Sequence, residues 1–161
     1  MDEYRYLTEL TERYPVLKQV EGDIKALYET VRDSYENGGK LLIAGNGGSC
    51  ADSEHIVGEL MKGFVKKRSV PEEMAESLKA VDPERGEKLA CSLQQGLAAI
   101  ALAGHTALST AFLNDVDGEV IYAQQVYGYG KPGDVLLGIT TSGNSENIMY
   151  AAVAAKAKGM K

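Results

Sequence analysis

Tryptophan is absent from the 161 residues, and cysteine and histidine occur only twice each. Positive charge is also scarce, with 17 Lys and Arg against 23 Asp and Glu and a net charge of −6. That balance excludes a general binder of nucleic acid or of anionic membrane surfaces, so neither is expected as a partner. The one basic cluster, Lys66-Lys67-Arg68, reads more readily as a solvated helix end than as a polyanion site. Any anionic ligand must therefore be held locally, against the overall field. Cys50 and Cys91 lack paired spacing and a secreted context, so both are expected as reduced thiols. No apolar run is long enough to span a bilayer, and Met1 leads into a charged helical pattern instead of a leader. The expectation is a cytoplasmic protein.

What is present fits a single domain able to bury a core, with 44% hydrophobic and 25% charged residues. Residues 2–14 and 20–36 carry apolar side chains at helical spacing: Tyr4, Leu7, Leu10 and Tyr14, then Val20, Ile24, Leu27, Val31 and Tyr35. Asn37-Gly38-Gly39 supplies a helix stop. Apolar runs at 40–44, 98–102 and 134–140 read as strands buried on both faces. Helical patterns follow them at 50–67, at 105–113 and 118–128, and at 145–158, with Gly159 as a C-cap. This alternation predicts an α/β fold, a parallel sheet with helices on both sides. The polar stretch 69–95, with two prolines, is expected to form one or two short helices in an insertion or flap. Three strands make a thin sheet, and Met160-Lys161 would begin another, so one or two further strand–helix units are expected outside this chain.

Two of the strands run into loops of glycine, amide and hydroxyl residues that each open a helix: "GNGGS" (45–49) and "TTSGNS" (140–145). In a parallel sheet both lie at the carboxyl edge, where helix N-termini offer unpaired N–H groups to an anion. Thr140, Thr141, Ser142 and Ser145 add hydroxyls, so a phosphate monoester can bind there without lysine or arginine. The plainer reading is a pair of tight turns with Ser145 as an N-cap. Neither loop has the dinucleotide fingerprint or the Gly-Lys-Ser/Thr ending of a Walker loop, which disfavours a nucleotide. His55 and Glu59, four apart on the helix after the first loop, share one face. They could be half of a zinc site, with Glu59 also a general base, or merely a surface hydrogen bond. His105 reads as a cap or packing residue. Asn114-Asp115 is a simple turn or a pair of polar groups near the sheet edge.

Together, "AGNGGSCADSEHIVGEL", "LND" at 113–115 and "GDVLLGITTSGNSENI" resemble the phosphoheptose isomerases of the sugar-isomerase (SIS) domain superfamily, over most of residues 20–161. "TSGNS" alone would indicate only the wider group of phosphosugar binders. The resemblance implies a three-layer, flavodoxin-like α/β/α sandwich whose N-terminal helices (1–37) pack at a subunit interface. It implies an isomerase that converts sedoheptulose 7-phosphate to a heptose 7-phosphate, with one zinc ion per subunit of a homotetramer. By position, Asn46, Gly47, Gly48 and Ser49 match the first substrate loop, Asn114 and Asp115 the sugar contacts, and Thr140, Thr141, Ser142 and Ser145 the phosphate loop. His55 and Glu59 match metal ligands, and Glu59 also matches the catalytic, substrate-contacting glutamate. There are two departures. The 69–95 stretch is longer than in typical members, and the family's glutamine and second histidine, which complete the zinc shell, have no counterpart in these residues. The rival reading is a non-catalytic SIS module that binds a phosphosugar or a protein partner as a regulator.

Overall fold

The computed structural model describes residues 4–161. Residues 2 and 3 of the expected first helix lie outside the described residues. Helix α1 (Arg5–Arg13) is followed by a 3-10 turn at Pro15–Val20 and by α2 (Glu21–Glu36). Gly38, at φ +75°, takes the left-handed step that ends α2, a conformation glycine adopts without a Cβ penalty. Strand β1 (Leu41–Gly45) then leads into α3 (Gly48–Met61). A helical hairpin, α4 (Glu72–Val81) and α5 (Pro83–Ser92), precedes β2 (Ala99–Ala101). Helices α6 (Thr106–Asp115) and α7 (Ile121–Tyr129), strand β3 (Val135–Ile139) and α8 (Glu146–Ala157) complete the chain.

The three strands are parallel, in the order β2-β1-β3, with Leu41 opposite both Ala99 and Val135. Every residue of β1 is buried, and the period-2 pleat splits its side chains between two cores. Leu42 and Ala44 face Tyr122 and Val126 of α7 and Ile148, Ala151 and Ala155 of α8. Leu41 and Ile43 face the opposite layer, where Val31 and Tyr35 of α2 meet Ile56, Val57 and Leu60 of α3. The result is the expected α/β/α sandwich. Met160 packs in the first core, and Lys161 forms one parallel rung outside β3. Its N–H donates to the Asp134 carbonyl at 2.9 Å, and its carbonyl accepts from Leu136 N–H at 2.8 Å. Lys161 thus lies hydrogen-bonded beside the start of β3, outside the three strands of the sheet.

Two boundaries differ from expectation. α3 ends at Met61 and not at residue 67, because Lys62 turns extended and Gly63 folds back so tightly that a Cβ would strike the Lys66 carbonyl. The stretch expected as 118–128 divides into a 3-10 turn at Gly118–Val120, capped by the Asp117 carboxylate on Glu119 N–H, and α7 proper. The 69–95 stretch forms two helices that pack chiefly on each other. A bridge between Ser69 and Gln94 closes the base of this hairpin, and Gln95 N–H donates to the Arg68 carbonyl at 2.8 Å. Leu97 N–H reaches the Leu60 carbonyl at 2.9 Å, so the hairpin springs from the amino edge of the sheet. The two glycine- and serine-rich loops lie at the other edge.

Candidate functional site

Two glycines of the first loop resist replacement. A Cβ on Gly45 would overlap the Ser49 carbonyl, and Gly47 sits at φ +56°. Gly47 N-caps α3 without a side-chain cap, and the Gly47 and Gly48 N–H groups donate to no acceptor among the described residues. These are the orphan donors that a helix N-terminus offers to an anion. Ser49 bonds back to the Asn46 carbonyl, and the buried Ser53 hydroxyl donates to the Ser49 carbonyl at 2.7 Å, fixing the first turn of α3.

The second loop turns through Gly143 at φ +71°. Ser145 precedes α8 but makes no side-chain cap. Its hydroxyl lies 3.0 Å from Thr140 Oγ1, which is 3.3 Å from Ser142 Oγ. Ser142 Oγ also accepts from Asn144 N–H at 3.2 Å. The hydroxyls of Thr140, Ser142 and Ser145 are thus gathered into one cluster, and Ser145 is not a side-chain N-cap. Thr141 is exposed beside them.

The two loops are tied to each other. Asn46 Nδ2 donates to Asn147 Oδ1 and Asn147 Nδ2 donates to Asn46 Oδ1, both at 2.9 Å. Tyr122 supports the first loop from below: its hydroxyl donates to the Gly45 carbonyl at 2.7 Å and lies 3.2 Å from Asn46 Oδ1. Burial, with a smaller push from Cys50, raises the Tyr122 hydroxyl above its usual pKa, so it remains a donor near neutral pH.

On α3, His55 Nε2 lies 3.6 Å from Glu59 Oε1, with side chains 78% and 44% exposed. Both line an open cleft of about 590 Å³ with Asp52, Ile56, Leu60 and Ile139. Ile139 is the residue before Thr140, so this cleft adjoins the second loop. An imidazole nitrogen beside a carboxylate oxygen is a donor pair that suits zinc. Among the described residues no cluster of three or more His, Cys, Asp or Glu could hold a metal.

Other expected residues stand apart. Asn114 and Asp115 close α6 and bond each other, Nδ2 to Oδ1 at 2.7 Å, and among the described residues no hydrogen bond joins them to either loop. His105 is a cap, its Nδ1 accepting from Leu108 N–H at 3.3 Å. Three residues escaped the motif reading. Asp52 shares the helical stripe of His55 and Glu59, which the i, i+3, i+7 spacing could have shown. Tyr122 and Asn147 have no local signal, since each reaches Asn46 from 76 and 101 residues away.

The SIS domain family matches residues 5–95 and 84–161. A phosphoheptose isomerase of Pelodictyon phaeoclathratiforme is 35% identical over 161 residues, which is 100% of this chain and 64% of that protein. One from Methylibium petroleiphilum is 42% identical over 76% of this chain and 48% of its own length. The structure of a phosphoheptose isomerase from Neisseria gonorrhoeae superposes with a TM-score of 0.65 at 31% identity, covering 98% of this chain and 66% of that one. The chain therefore spans between 48% and 64% of the length of these two curated relatives.

Proposed function

This chain belongs to the SIS domain family, and on that premise we propose that the protein is a sugar-phosphate isomerase. It interconverts sedoheptulose 7-phosphate and a heptose 7-phosphate through an enediol(ate). The observation that carries this reading is the adjacency of the His55–Glu59 cleft to the second anion loop, because the cleft is lined by Ile139, which immediately precedes that loop. An anion loop alone would suit a binding module, whereas a base beside it suits chemistry on the sugar.

In this reading the orphan N–H groups at Gly47 and Gly48 and the hydroxyls of Thr140, Ser142 and Ser145 hold the phosphate. Binding at that end, remote from the reacting carbons, orients the open-chain sugar. Asn114 and Asp115 contribute sugar contacts only if the substrate or a neighbouring subunit reaches them. The Glu59 carboxylate takes the proton from the carbon next to the carbonyl while the carbonyl oxygen gains one, giving the enediol. Return of the proton to the neighbouring carbon, with loss of the hydroxyl proton, completes the exchange. His55 and Glu59 would hold part of a zinc shell, and a zinc ion there would polarise the carbonyl as a Lewis acid. The further zinc ligands, the homotetramer and a cytoplasmic location belong to the same proposal. Among the described residues no helix is long and apolar enough to cross a membrane.

The test is an isomerase assay of the full-length protein on sedoheptulose 7-phosphate, paired with metal analysis. Turnover with near-stoichiometric zinc is expected. Tight sugar-phosphate binding without turnover would replace the enzyme reading with the regulatory module.

A further inference from the structure

We propose that Asn147 is a positioning residue: its amide pair with Asn46 clasps the two anion loops at the separation needed for one phosphate to bridge them. The proposal rests on the phosphate reading above. Asn147 itself lies in the first turn of α8, outside both loop motifs.

The geometry is that of a closed amide dimer, with two reciprocal bonds of 2.9 Å. It joins the loop that opens α3 to the helix opened by the second loop, across 101 residues of sequence. Each of the other fixings acts within one loop or below it. Ser49 and Gly47 order the first loop, the hydroxyl cluster orders the second, and Tyr122 anchors Gly45 from the core. The Asn46–Asn147 pair is the hydrogen-bonded link between them among the described residues. Two half-sites that donate to one small anion depend on their mutual distance, and an error of the order of an ångström weakens both sets of bonds. The amides are solvent-exposed and so add little to folding stability. A change that leaves the fold standing but loosens the anion site would separate positioning from a merely structural role.

The pair also gives Asn46 a task besides direct ligation. Its Oδ1 accepts from Asn147 and lies within reach of the Tyr122 hydroxyl, and one N–H of its Nδ2 is taken by Asn147. The second N–H of Asn46 Nδ2 remains, beside the backbone N–H donors of Gly47 and Gly48, for an incoming anion.

The experiment is a double-mutant cycle in the full-length protein, with Asn46→Ala, Asn147→Ala and the double variant, and inorganic phosphate as the probe in calorimetry. Each single variant should keep the wild-type melting temperature within about 2 °C and lose roughly tenfold in phosphate affinity. The double variant should lose no more than the worse single. With sedoheptulose 7-phosphate, KM should rise by a similar factor and kcat should fall less. Asn147→Asp keeps an acceptor for Asn46 Nδ2 but loses the donor, and should weaken phosphate in the same direction. Wild-type phosphate affinity in Asn147→Ala would overturn the clasp while leaving the anion site intact. Additive losses would also overturn it, because each amide would then touch phosphate independently. Absence of phosphate binding by the wild type would instead sink the anion-site reading itself, and the clasp with it.

Discussion

At the scale of single residues, Glu59 and Ser142 carry the sharpest expectations. Glu59→Gln keeps the shape and hydrogen-bonding reach of the side chain but removes the proton acceptor. Sugar-phosphate binding should survive while turnover falls by about 10²- to 10⁴-fold, as read by paired calorimetry and kinetics. His55→Ala, which removes an expected zinc ligand and leaves the base, should lower zinc content and recover partly when zinc is added. Normal turnover in Glu59→Gln would disprove the mechanism. Ser142→Ala deletes a hydroxyl that lies 3.3 Å from Thr140 Oγ1 and accepts from Asn144 N–H. Loss of about 1 kcal/mol of hydrogen bonding corresponds to a KM up to roughly tenfold higher. These residues were legible in the sequence because each belongs to a short motif with a local reason: glycine for a positive φ, hydroxyls at a helix start, i, i+4 spacing on one face. Asn147 was not, because an asparagine in a first helical turn looks like any polar surface residue until the fold places Asn46 against it. Asp52 was overlooked for another reason: its stripe with His55 and Glu59 is regular, yet an exposed acidic residue on a helix ordinarily belongs to a solvated face.

At the scale of elements, the amino edge of the sheet is held by Asp134, which is 3% exposed. Its carboxylate accepts from Lys40 N–H at 3.0 Å and Lys131 N–H at 2.8 Å, and pairs with the Lys40 ammonium. These bonds join the start of β1 to the turn that opens β3. Burial opposes the charge, but the Lys40 ammonium and the two N–H donors outweigh it and hold the carboxyl below the usual aspartate range. A carboxyl whose folded pKa is depressed stabilises the fold above its unfolded value, near pH 4, and that stability is lost as pH falls through the folded value. Asp134→Asn should therefore cost about 2–3 kcal/mol at pH 7 and less at pH 3, measured by urea denaturation at both pH values. An equal cost at both would show that the charge is immaterial. The α4–α5 hairpin gives an independent check. A Cβ on Gly86 would overlap the Leu78 carbonyl, so Gly86→Ala should separate the two helices by about 1–3 kcal/mol. Hydrogen exchange should then speed up at 72–92 while loops 46–49 and 140–145 keep their rates. The strands and the helices around them were legible because burial on both faces leaves near-continuous apolar runs. Helix ends were less so. α3 stops six residues early because the backbone fold-back at Gly63 is a tertiary event, and apolar Phe64 and Val65, which extended the helical pattern, are about 80% exposed.

At the scale of the whole molecule, the N-terminal helices leave apolar surface that the sandwich does not use. α1 lies on α2 with Tyr4 edge-on to Tyr28, centroids 6.1 Å apart, and a cleft of about 350 Å³ opens between them, lined by Tyr4, Tyr6, Leu7, Leu10, Ile24 and Tyr28. Tyr6 remains 67% exposed, Leu27 45% and Tyr28 44%. A cluster of aromatic and aliphatic side chains open to water on adjoining helices is the kind of surface that serves association. Self-association through this face fits the proposed homotetramer, because a symmetric oligomer uses the same patch on each subunit. The full-length protein should scatter light as a dimer or larger at micromolar concentration. Tyr6→Glu, at an exposed position that the core does not need, should raise the dissociation constant by about ten- to a hundredfold without lowering the stability of the dissociated chain. A monomeric wild type would leave these helices without a role in assembly, and an undisturbed oligomer in Tyr6→Glu would move the interface to another face of the molecule.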